Sequence, residues 1–157
     1  MSRVAIAIGS NLGNRDAAIA FAAQQLASLL ADFTISEIIE TWPVGEGAEE
    51  QNLYLNAVAV GETDLSPRQL LEALLALEQA FGRERASPNA ARTLDLDLIL
   101  HNTSIVIEPG LEVPHPRFRE RFFVLGPLAE VAPDMVDPVS RMRVAELLKR
   151  LLRDDSR

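Results

Sequence analysis

Two carboxylates separated by one leucine are the part of this sequence that most suggests chemistry. Asp95 and Asp97 alternate with leucines at positions 94, 96, 98 and 100, which is the period-two pattern of a β-strand. The pattern predicts that the four leucines pack on one face of the strand. Both carboxylates would then lie on the other face, about 7 Å apart.

Neighbouring carboxylates repel each other on a bare sheet, and a cation between them relieves that repulsion. The ligands are hard oxygens and the chain contains no cysteine, a combination that favours Mg²⁺. Arg92, three residues before Asp95, adds a group suited to phosphate. The residues therefore suggest a magnesium and phosphate site, although a solvated polar face on an amphipathic strand would give the same pattern.

The charged residues favour a small anionic ligand over a polyanion. The chain has 23 acidic and 15 basic residues and a formal net charge of −8, which argues against a general nucleic-acid binder or a membrane-surface protein. Fourteen of the basic residues are arginine, the type suited to bidentate phosphate contacts. Two local clusters stand out, although single arginines are often only solvated surface residues: Arg83, Arg85 and Arg92, and Arg117, Arg119 and Arg121.

Length and composition indicate one globular domain spanning residues 1–157, with an ordinary apolar share of 48%. The lack of cysteine excludes a disulfide framework and thiolate catalysis, and it fits a reducing compartment. The N-terminal apolar run is too short for a signal peptide, and no segment approaches the roughly 20 apolar residues of a membrane span. We therefore expect a cytoplasmic protein without a membrane partner.

The hydrophobic periodicity predicts alternating strands and helices. Strands are expected at residues 4–8, 33–41, 54–60 and 93–101, and helices at residues 15–30, 67–81, 122–131 and around 144–152. Gly82 is expected to end the second helix. The first six elements follow the order of a ferredoxin-like α+β sandwich. We expect an antiparallel sheet with helices on one face and the active site, with its two carboxylates, on the other.

Other polar residues could complete a site. Tyr54 and Asn56 share one face of the third strand, where a ring beside an amide suits a flat heteroaromatic ligand, or simply a packed strand face. Glu78 borders the apolar stripe of its helix, as an acceptor for a ribose hydroxyl or as an exposed carboxylate. His115 lies between two prolines, where it could contact phosphate or donate to a carbonyl. The sequence shows no phosphate-binding loop and no nucleophile arrangement with its two histidines.

Four sequence blocks together resemble a known enzyme family. They are Ala7-Ile8-Gly9-Ser10-Asn11-Leu12-Gly13, Tyr54-Leu55-Asn56-Ala57, Arg92-Thr93-Leu94-Asp95-Leu96-Asp97 and Val113-Pro114-His115-Pro116. In this order and spacing they look like the 6-hydroxymethyl-7,8-dihydropterin pyrophosphokinases of the folate pathway, over residues 4–134. The resemblance implies a monomeric ferredoxin-like enzyme that transfers the diphosphate of ATP to the pterin hydroxymethyl group and releases AMP.

The resemblance also implies roles for single residues. Asp95 and Asp97 match the ligands of two Mg²⁺ ions, and Arg83 and Arg92 match catalytic arginines of a mobile loop that clamp the triphosphate. ATP contacts are implied for Glu78, Arg85, Leu98, His115 and Arg121. Substrate contacts are implied for Thr41, Val44, Tyr54, Asn56 and Phe123, with Tyr54 and Phe123 as the aromatic pair that sandwiches the pterin.

The chain departs from the family pattern in the loop before Arg92. Many members carry Trp-Gly-Pro there, whereas this chain has Asn89-Ala90-Ala91. Family members also often have tyrosine where Pro116 stands. A weaker lid could lower turnover without changing the reaction, so a pterin- or nucleotide-binding module without efficient catalysis remains an alternative. A ferredoxin-like interaction domain is a third interpretation, in which the aspartates and arginines are ordinary surface residues.

Overall fold

An antiparallel sheet with two flanking layers organises the chain. The structure is a computed structural model that describes residues 1–11, 13–42, 53–84 and 94–155, except the side chains of Arg83, Glu84 and Asp155. Its strands are β1 (Ser2–Ser10), β2 (Ala31–Ile35), β3 (Ile39–Thr41), β4 (Tyr54–Thr63), β5 (Asp95–His101), β6 (Val106–Glu108) and β7 (Leu111–Val113). Its helices are α1 (Arg15–Leu29), α2 (Pro67–Glu84), α3 (Phe122–Val131) and α4 (Val144–Asp155), with a 3₁₀ helix at Phe118–Glu120.

The sheet has the strand order of the expected ferredoxin-like fold. Within the described residues its order is β2, β4, β1, β5, and β3 also pairs with β4; every pairing is antiparallel. The alternate residues Val4, Ile6 and Ile8 of β1 are buried in one core with residues of α1 and α2. This period-two burial in the strands and helical spacing in α1 and α2 confirm the α+β class predicted from the sequence.

The opposite face of the sheet carries more helix than the sequence suggested. Helices α3 and α4 bury a second core against Ala5, Val58, Val60 and Leu100. They cover only one end of this face. The other end, around Ala7, Gly9 and the two aspartates, stays open and forms a cleft. Helices thus cover one face and part of the other, and the site lies on the part that they leave open.

A bulge in β5 changes the sheet face on which the side chains of its last residues lie. Ala5 of β1 pairs with Leu100, whereas the next residue, Ile6, pairs with Leu98, so Ile99 is an extra residue in β5. Ile99 and Leu100 are both buried in the second core, while Leu98 belongs to the first. The expectation that Leu100 shares a face with the preceding alternate leucines is therefore wrong, because the bulge breaks the period of two.

Two other element boundaries differ from the sequence prediction. The segment 33–41 is not one strand, because it leaves the sheet between β2 and β3. There the buried Ser36 accepts a hydrogen bond from the Val58 amide through Oγ (2.9 Å), and this bond substitutes for part of the strand ladder. Helix α2 continues to Glu84 instead of ending at Gly82. A glycine inside a helix lowers its stability without ending it.

No helix among the described residues is long and apolar enough to cross a membrane.

Two glycines should respond in opposite ways to replacement by alanine. A Cβ at Gly61 would stand 2.7 Å from Leu30 Cβ and 2.9 Å from the Ala31 carbonyl oxygen, whereas at Gly82 it would meet nothing within 4 Å. We expect Gly61→Ala to lower the free energy of unfolding by about 1–3 kcal/mol, because β4 must move away from these atoms. Gly82→Ala should raise it by about 0.5–1 kcal/mol through the helix propensity. Urea unfolding of both variants measures the difference, and equal effects would contradict this packing.

Candidate functional site

The register of the sheet aligns the candidate site residues in two rows. Gly9 of β1 pairs with Asn56 on one side and with Asp95 on the other, and Ala7 pairs with Val58 and with Asp97. Because neighbouring strands lie about 4.8 Å apart, Asn56 and Asp95 are separated by roughly 10 Å across Gly9. The strand pairing therefore places both carboxylates on the same face of the sheet as Asn56.

These rows form the floor of a cleft of about 670 Å³. The cleft lies between the open end of the sheet, the end of β3 and the start of α3. It is lined by Ala7, Ile8, Gly9, Thr41, Trp42, Tyr54, Asn56, Ala57, Asp95, Asp97, Arg117, Glu120, Arg121, Phe122, Phe123 and Val124. Carboxylates, guanidinium groups, an amide and aromatic rings therefore face one space, which is the composition of a site for a polar aromatic ligand.

Asn56 is a buried polar side chain of the cleft with a fixed orientation. It is buried, with 7% of its surface exposed, and its Nδ2 donates a 2.7 Å hydrogen bond to Thr41 Oγ1. This bond orients Oδ1, which lies 3.7 Å from the place that a Cβ on Gly9 would take. A buried, oriented amide on a cleft floor can read the hydrogen-bonding edge of a ring.

Aromatic and cationic side chains lie above this floor. Tyr54 and Phe123 are half-buried, and both line the cleft. The Arg121 guanidinium lies over the Phe123 ring, 5.7 Å from its centroid, as in a cation–π contact. Arg121 directly precedes α3 and Phe123 is the second residue of that helix. The start of α3 therefore brings a cation and an aromatic ring to the same side of the cleft.

A second cavity, of about 330 Å³, adjoins the first at Asp97, which lines both. Apolar walls come from Leu71, Leu96, Leu98 and Leu111, and polar groups from Glu108, Glu112 and His115. Leu98 and His115 were predicted to contact the nucleotide, and the structure brings them together here. A flat apolar wall beside polar groups suits a nucleoside.

His115 is held in one orientation and one tautomer. Its Nδ1 accepts a 3.2 Å hydrogen bond from the Arg117 amide, so the ring proton of the neutral form is on Nε2. Burial lowers the pKa of His115, Asp97 acts in the opposite direction, and Arg121 lowers the pKa further. The neutral imidazole is therefore the form present at pH 7, with Nε2–H as its donor.

Glu78 contacts the strand that carries the two aspartates. Its Oε2 accepts a 2.7 Å hydrogen bond from the backbone amide of Leu96, the residue between Asp95 and Asp97. The carboxylate is half-buried, so it is an acceptor facing the protein and not an exposed helix residue. Glu78 does not line either of the two cavities, and its predicted contact with the ribose remains a prediction.

Arginines predicted as one cluster have different surroundings. Arg117 and Arg121 line the cleft, whereas Arg119 does not line it and pairs with the buried Asp137. The segment therefore contains two arginines that line the cleft and, between them, one arginine with a structural role. Of the other predicted residues, Arg83 lies near the end of α2, and its side chain is outside the described residues, as are Val44, Arg85 and Arg92.

Comparison with known proteins decides the family. The family model for 7,8-dihydro-6-hydroxymethylpterin-pyrophosphokinase matches residues 5–133. The chain belongs to this family. It is 35% identical over 151 residues to a 2-amino-4-hydroxy-6-hydroxymethyldihydropteridine pyrophosphokinase of Methylorubrum extorquens, covering 96% of this chain and 94% of the relative. The enzyme of the same name from Haemophilus influenzae is 39% identical over 148 residues, covering 92% and 90%.

Solved structures of the family support the fold. The wild-type HPPK-DHPS of Plasmodium falciparum superimposes with a TM-score of 0.75 at 12% identity, over 95% of this chain and 44% of that chain. The same protein with pterin and p-hydroxybenzoate gives a TM-score of 0.73 at 13% identity, over 98% and 43%. The chain thus spans less than half of these longer proteins, and at this identity the likeness concerns the fold alone.

The carboxylate pair of the cleft is a partial donor set for a divalent cation. Among the described residues, no group of three or more histidines, aspartates or glutamates could hold a metal ion by itself. Mg²⁺, however, usually keeps several waters and is held by one or two carboxylates together with substrate phosphates. The pair Asp95 and Asp97 is such a partial donor set, so the residues present fit a metal that arrives with its phosphates.

Several cleft residues escaped the sequence analysis. Ala7 and Gly9 are small floor residues whose role appears only in the sheet register. Trp42 and Phe122 are exposed aromatic residues that line the cleft. A sequence signal existed for these two, since Phe122 directly precedes Phe123 and Trp42 follows Thr41 in a region rich in glycine and proline.

Proposed function

We propose that this chain transfers diphosphate from ATP to 6-hydroxymethyl-7,8-dihydropterin and releases AMP, a step of folate biosynthesis. Membership of the pyrophosphokinase family supports this activity. The observation that carries it in the structure is the row Asn56–Gly9–Asp95, which sets a ring-reading amide across a small floor residue from a carboxylate pair. A pterin at the amide would present its side chain toward phosphates at the carboxylates.

The pterin occupies the first cleft. Its ring lies between Tyr54 and Phe123, where stacking orients it, and its polar edge meets Asn56 and Thr41, whose mutual hydrogen bond is already formed. Val44 completes this pocket as the family resemblance implies. The rigid amide reduces the entropy that is lost when the ring binds.

The phosphates lie over Asp95 and Asp97. Asp95 and Asp97 would hold two Mg²⁺ ions, which would supply neutralisation of the charge that develops during the transfer. The hydroxymethyl oxygen releases its proton to water and forms a bond to the β-phosphorus, the bond from that phosphorus to the oxygen shared with the α-phosphate breaks, and AMP leaves. Catalysis by the protein is positioning and electrostatic stabilisation, so no covalent enzyme intermediate is needed.

The nucleoside end of ATP occupies the second cavity, which shares Asp97 with the first. Leu98 supplies apolar contact and the Nε2–H of His115 donates to a nucleotide oxygen. Arg121 contributes positive charge from the cleft. Arg83, Arg85 and Arg92 bind the triphosphate and Glu78 binds the ribose, as the family resemblance implies.

Product analysis tests this proposal directly. Purified chain is mixed with ATP, Mg²⁺ and the hydroxymethyl-dihydropterin, and nucleotides and pterins are separated by chromatography. We expect AMP and a pterin diphosphate in equal amounts, with no AMP when the pterin or Mg²⁺ is omitted. Binding of both ligands without AMP would support the binding-module alternative instead. ADP or free phosphate as the product would contradict the assigned reaction.

Filling the cleft floor at Gly9 should block the pterin selectively. The position has an ordinary strand backbone, and a Cβ there would meet Asn56 Oδ1 only at normal contact distance. Gly9→Ala should therefore fold normally, whereas Gly9→Leu extends into the cleft and should raise the KM for the pterin at least about tenfold. The KM for ATP serves as the internal control, because the nucleoside end of ATP lies in the second cavity. A pterin KM that stays unchanged in Gly9→Leu would place the ring elsewhere.

The setting proposed for this activity is simple. The chain acts as one domain, because its two cores share the single sheet formed by β1, β4 and β5. It works as a monomer in the cytoplasm, where its co-substrate ATP is produced. Size-exclusion chromatography with light scattering measures the oligomeric state.

A further inference from the structure

We infer that Trp42 is an additional substrate-contacting residue, which covers the bound pterin ring at the mouth of the first cleft. This inference rests on the proposed function and adds to it one substrate-contacting residue at the mouth of the first cleft. Trp42 lines the cleft, and 77% of its surface is exposed. It is also the only tryptophan of the chain.

The exposure of Trp42 is unusual for its residue type. Tryptophan is highly buried on average, and an exposed large apolar group at a concave surface marks a place where a ligand completes the burial. The exposed fraction of Trp42 exceeds that of Phe122, the other exposed aromatic residue of the cleft, which is 49% exposed. A planar ligand that enters the cleft would remove the indole from water and gain an edge-to-face aromatic contact.

The backbone beside Trp42 is well fixed. Thr41 is the last residue of β3 and pairs with Tyr54 of β4, and its Oγ1 accepts the hydrogen bond from Asn56. The amide that reads the ring and the indole are therefore only one residue apart through Thr41. A ligand held by Asn56 lies close to an indole attached at this strand end, and the fixed strand end reduces the entropy that is lost when the indole contacts it.

The aromatic residues of the cleft fall into an inner and an outer pair. Four of the chain's eight aromatic residues line this one cleft. Tyr54 and Phe123 are half-buried and form the inner pair, whereas Trp42 and Phe122 are exposed and form the outer pair. An inner pair suffices to sandwich a ring, so the outer pair acts on the ring edge that would otherwise stay in water. Trp42 thereby adds affinity for the pterin and none for ATP.

Steady-state kinetics of Trp42→Ala tests the inference. We expect the KM for the pterin to rise about tenfold, as for the loss of one aromatic contact and its buried area, with kcat within about threefold and the KM for ATP unchanged. Trp42→Phe keeps a ring and should recover most of the pterin affinity. Ile107→Ala is the matched control, because Ile107 is 78% exposed and does not line the cleft. The unfolding midpoint should not move in any of these variants.

Fluorescence of the single tryptophan gives an independent measurement. In the wild-type chain, saturation with the pterin should shift the Trp42 emission maximum to shorter wavelength, because the indole leaves water. Quenching without this shift would contradict the inference, because energy transfer also acts at a distance and the indole would still be in water. The Trp42→Phe variant supplies the background signal of the ligand.

The outcomes separate this inference from the proposed function. If the wild-type chain forms AMP with the pterin but Trp42→Ala keeps its pterin KM, the role of Trp42 is wrong and the function stands. Equal rises in the KM for ATP and for the pterin would also overturn it, since they would show a general disturbance of the site. If the wild-type chain forms no AMP, the proposed function itself is wrong.

Discussion

Replacement of Asp97 by asparagine is expected to lower AMP formation on the order of 10³-fold, which corresponds to about 4 kcal/mol of transition-state stabilisation. Asp97 is exposed and lines both the cleft and the second cavity. Its carboxylate is therefore at the junction of the two, where the phosphate chain of ATP connects the nucleoside site to the pterin site. The amide has the same size but no charge, and therefore it is a far weaker partner for a divalent cation. The variant should fold normally because the side chain is in solvent.

A matched control comes from Asp64→Asn, the same chemical change at an exposed site. Asp64 follows the end of β4, is 80% exposed and forms a 3.7 Å ion pair with the N-terminal amine. Its replacement should leave AMP formation and the dependence on Mg²⁺ concentration unchanged. Retention of more than a tenth of the wild-type rate in Asp97→Asn would reject the metal assignment.

A double variant sharpens the experiment on the carboxylate pair. If Asp95 and Asp97 act on the same cations, Asp95→Asn added to Asp97→Asn should lose little beyond the single variant, because residues that act as a unit are strongly non-additive. Two independent losses that multiply would instead indicate separate roles. Initial rates at several Mg²⁺ concentrations supply the comparison.

Local sequence patterns were sufficient to predict features that depend on a single strand or helix. The alternation around Asp95 and Asp97 predicted their common face, and the same reasoning placed Asn56 on one face with Tyr54. Helix α3 coincides with the predicted segment 122–131. In each case the relevant contacts lie within one element, so the period of the sequence contains the information.

The pairing between strands that are distant in the sequence could not be predicted from local patterns. The row Asn56–Gly9–Asp95 depends on which residue of β1 faces each neighbouring strand, and nothing local to Gly9 specifies that register. The bulge at Ile99 is equally hidden, because Leu98-Ile99-Leu100 is a continuous apolar run in which an extra residue leaves no mark. The expectation for Leu100 failed for this reason.

The segment with three arginines shows that local patterns also fail to predict the partner of a charged side chain. Arg117, Arg119 and Arg121 have equal spacing and identical chemistry, and only a partner far along the chain distinguishes them. That partner is Asp137, which is 18 residues from Arg119. The sequence therefore predicted a cluster where the structure has two cleft arginines and one structural ion pair.

Asp137 is the residue whose loss should destabilise the fold most among those considered. It is fully buried, and its carboxylate accepts hydrogen bonds from Arg119 Nε (2.5 Å) and Nη2 (2.9 Å) and from Ser140 Oγ (2.7 Å), together with the backbone amides of Val139 and Ser140. Removing one partner of such a pair leaves an uncompensated charge and several unsatisfied donors. Asp137→Asn should therefore lower the free energy of unfolding by about 3 kcal/mol, at the low end of the range because Arg119 can still reach water.

The expected shift of the thermal midpoint is about 6–12 °C for a chain of this length. Differential scanning calorimetry measures it, and Asp134→Asn is the control. Asp134 is 71% exposed and pairs with Arg3 at 3.2 Å on the surface, an arrangement that contributes about 0–1 kcal/mol. Equal shifts in the two variants would show that the burial of Asp137 is not the source of its effect.

The pH dependence of this difference has a defined sign. Burial by itself raises the pKa of Asp137, but the hydrogen bonds from Arg119, Ser140 and Val139 outweigh it, and the pKa of the folded chain lies below the ordinary value of 3.8. The stabilisation is therefore present above about pH 4 and is lost as the pH falls through the folded-state pKa. The stability gap between wild type and Asp137→Asn should be constant from about pH 5 to 7 and should narrow below about pH 4. A gap that instead widens on acidification would mean that the carboxyl group is protonated in the native fold, and the ion pair with Arg119 could not then be what anchors the segment before α3.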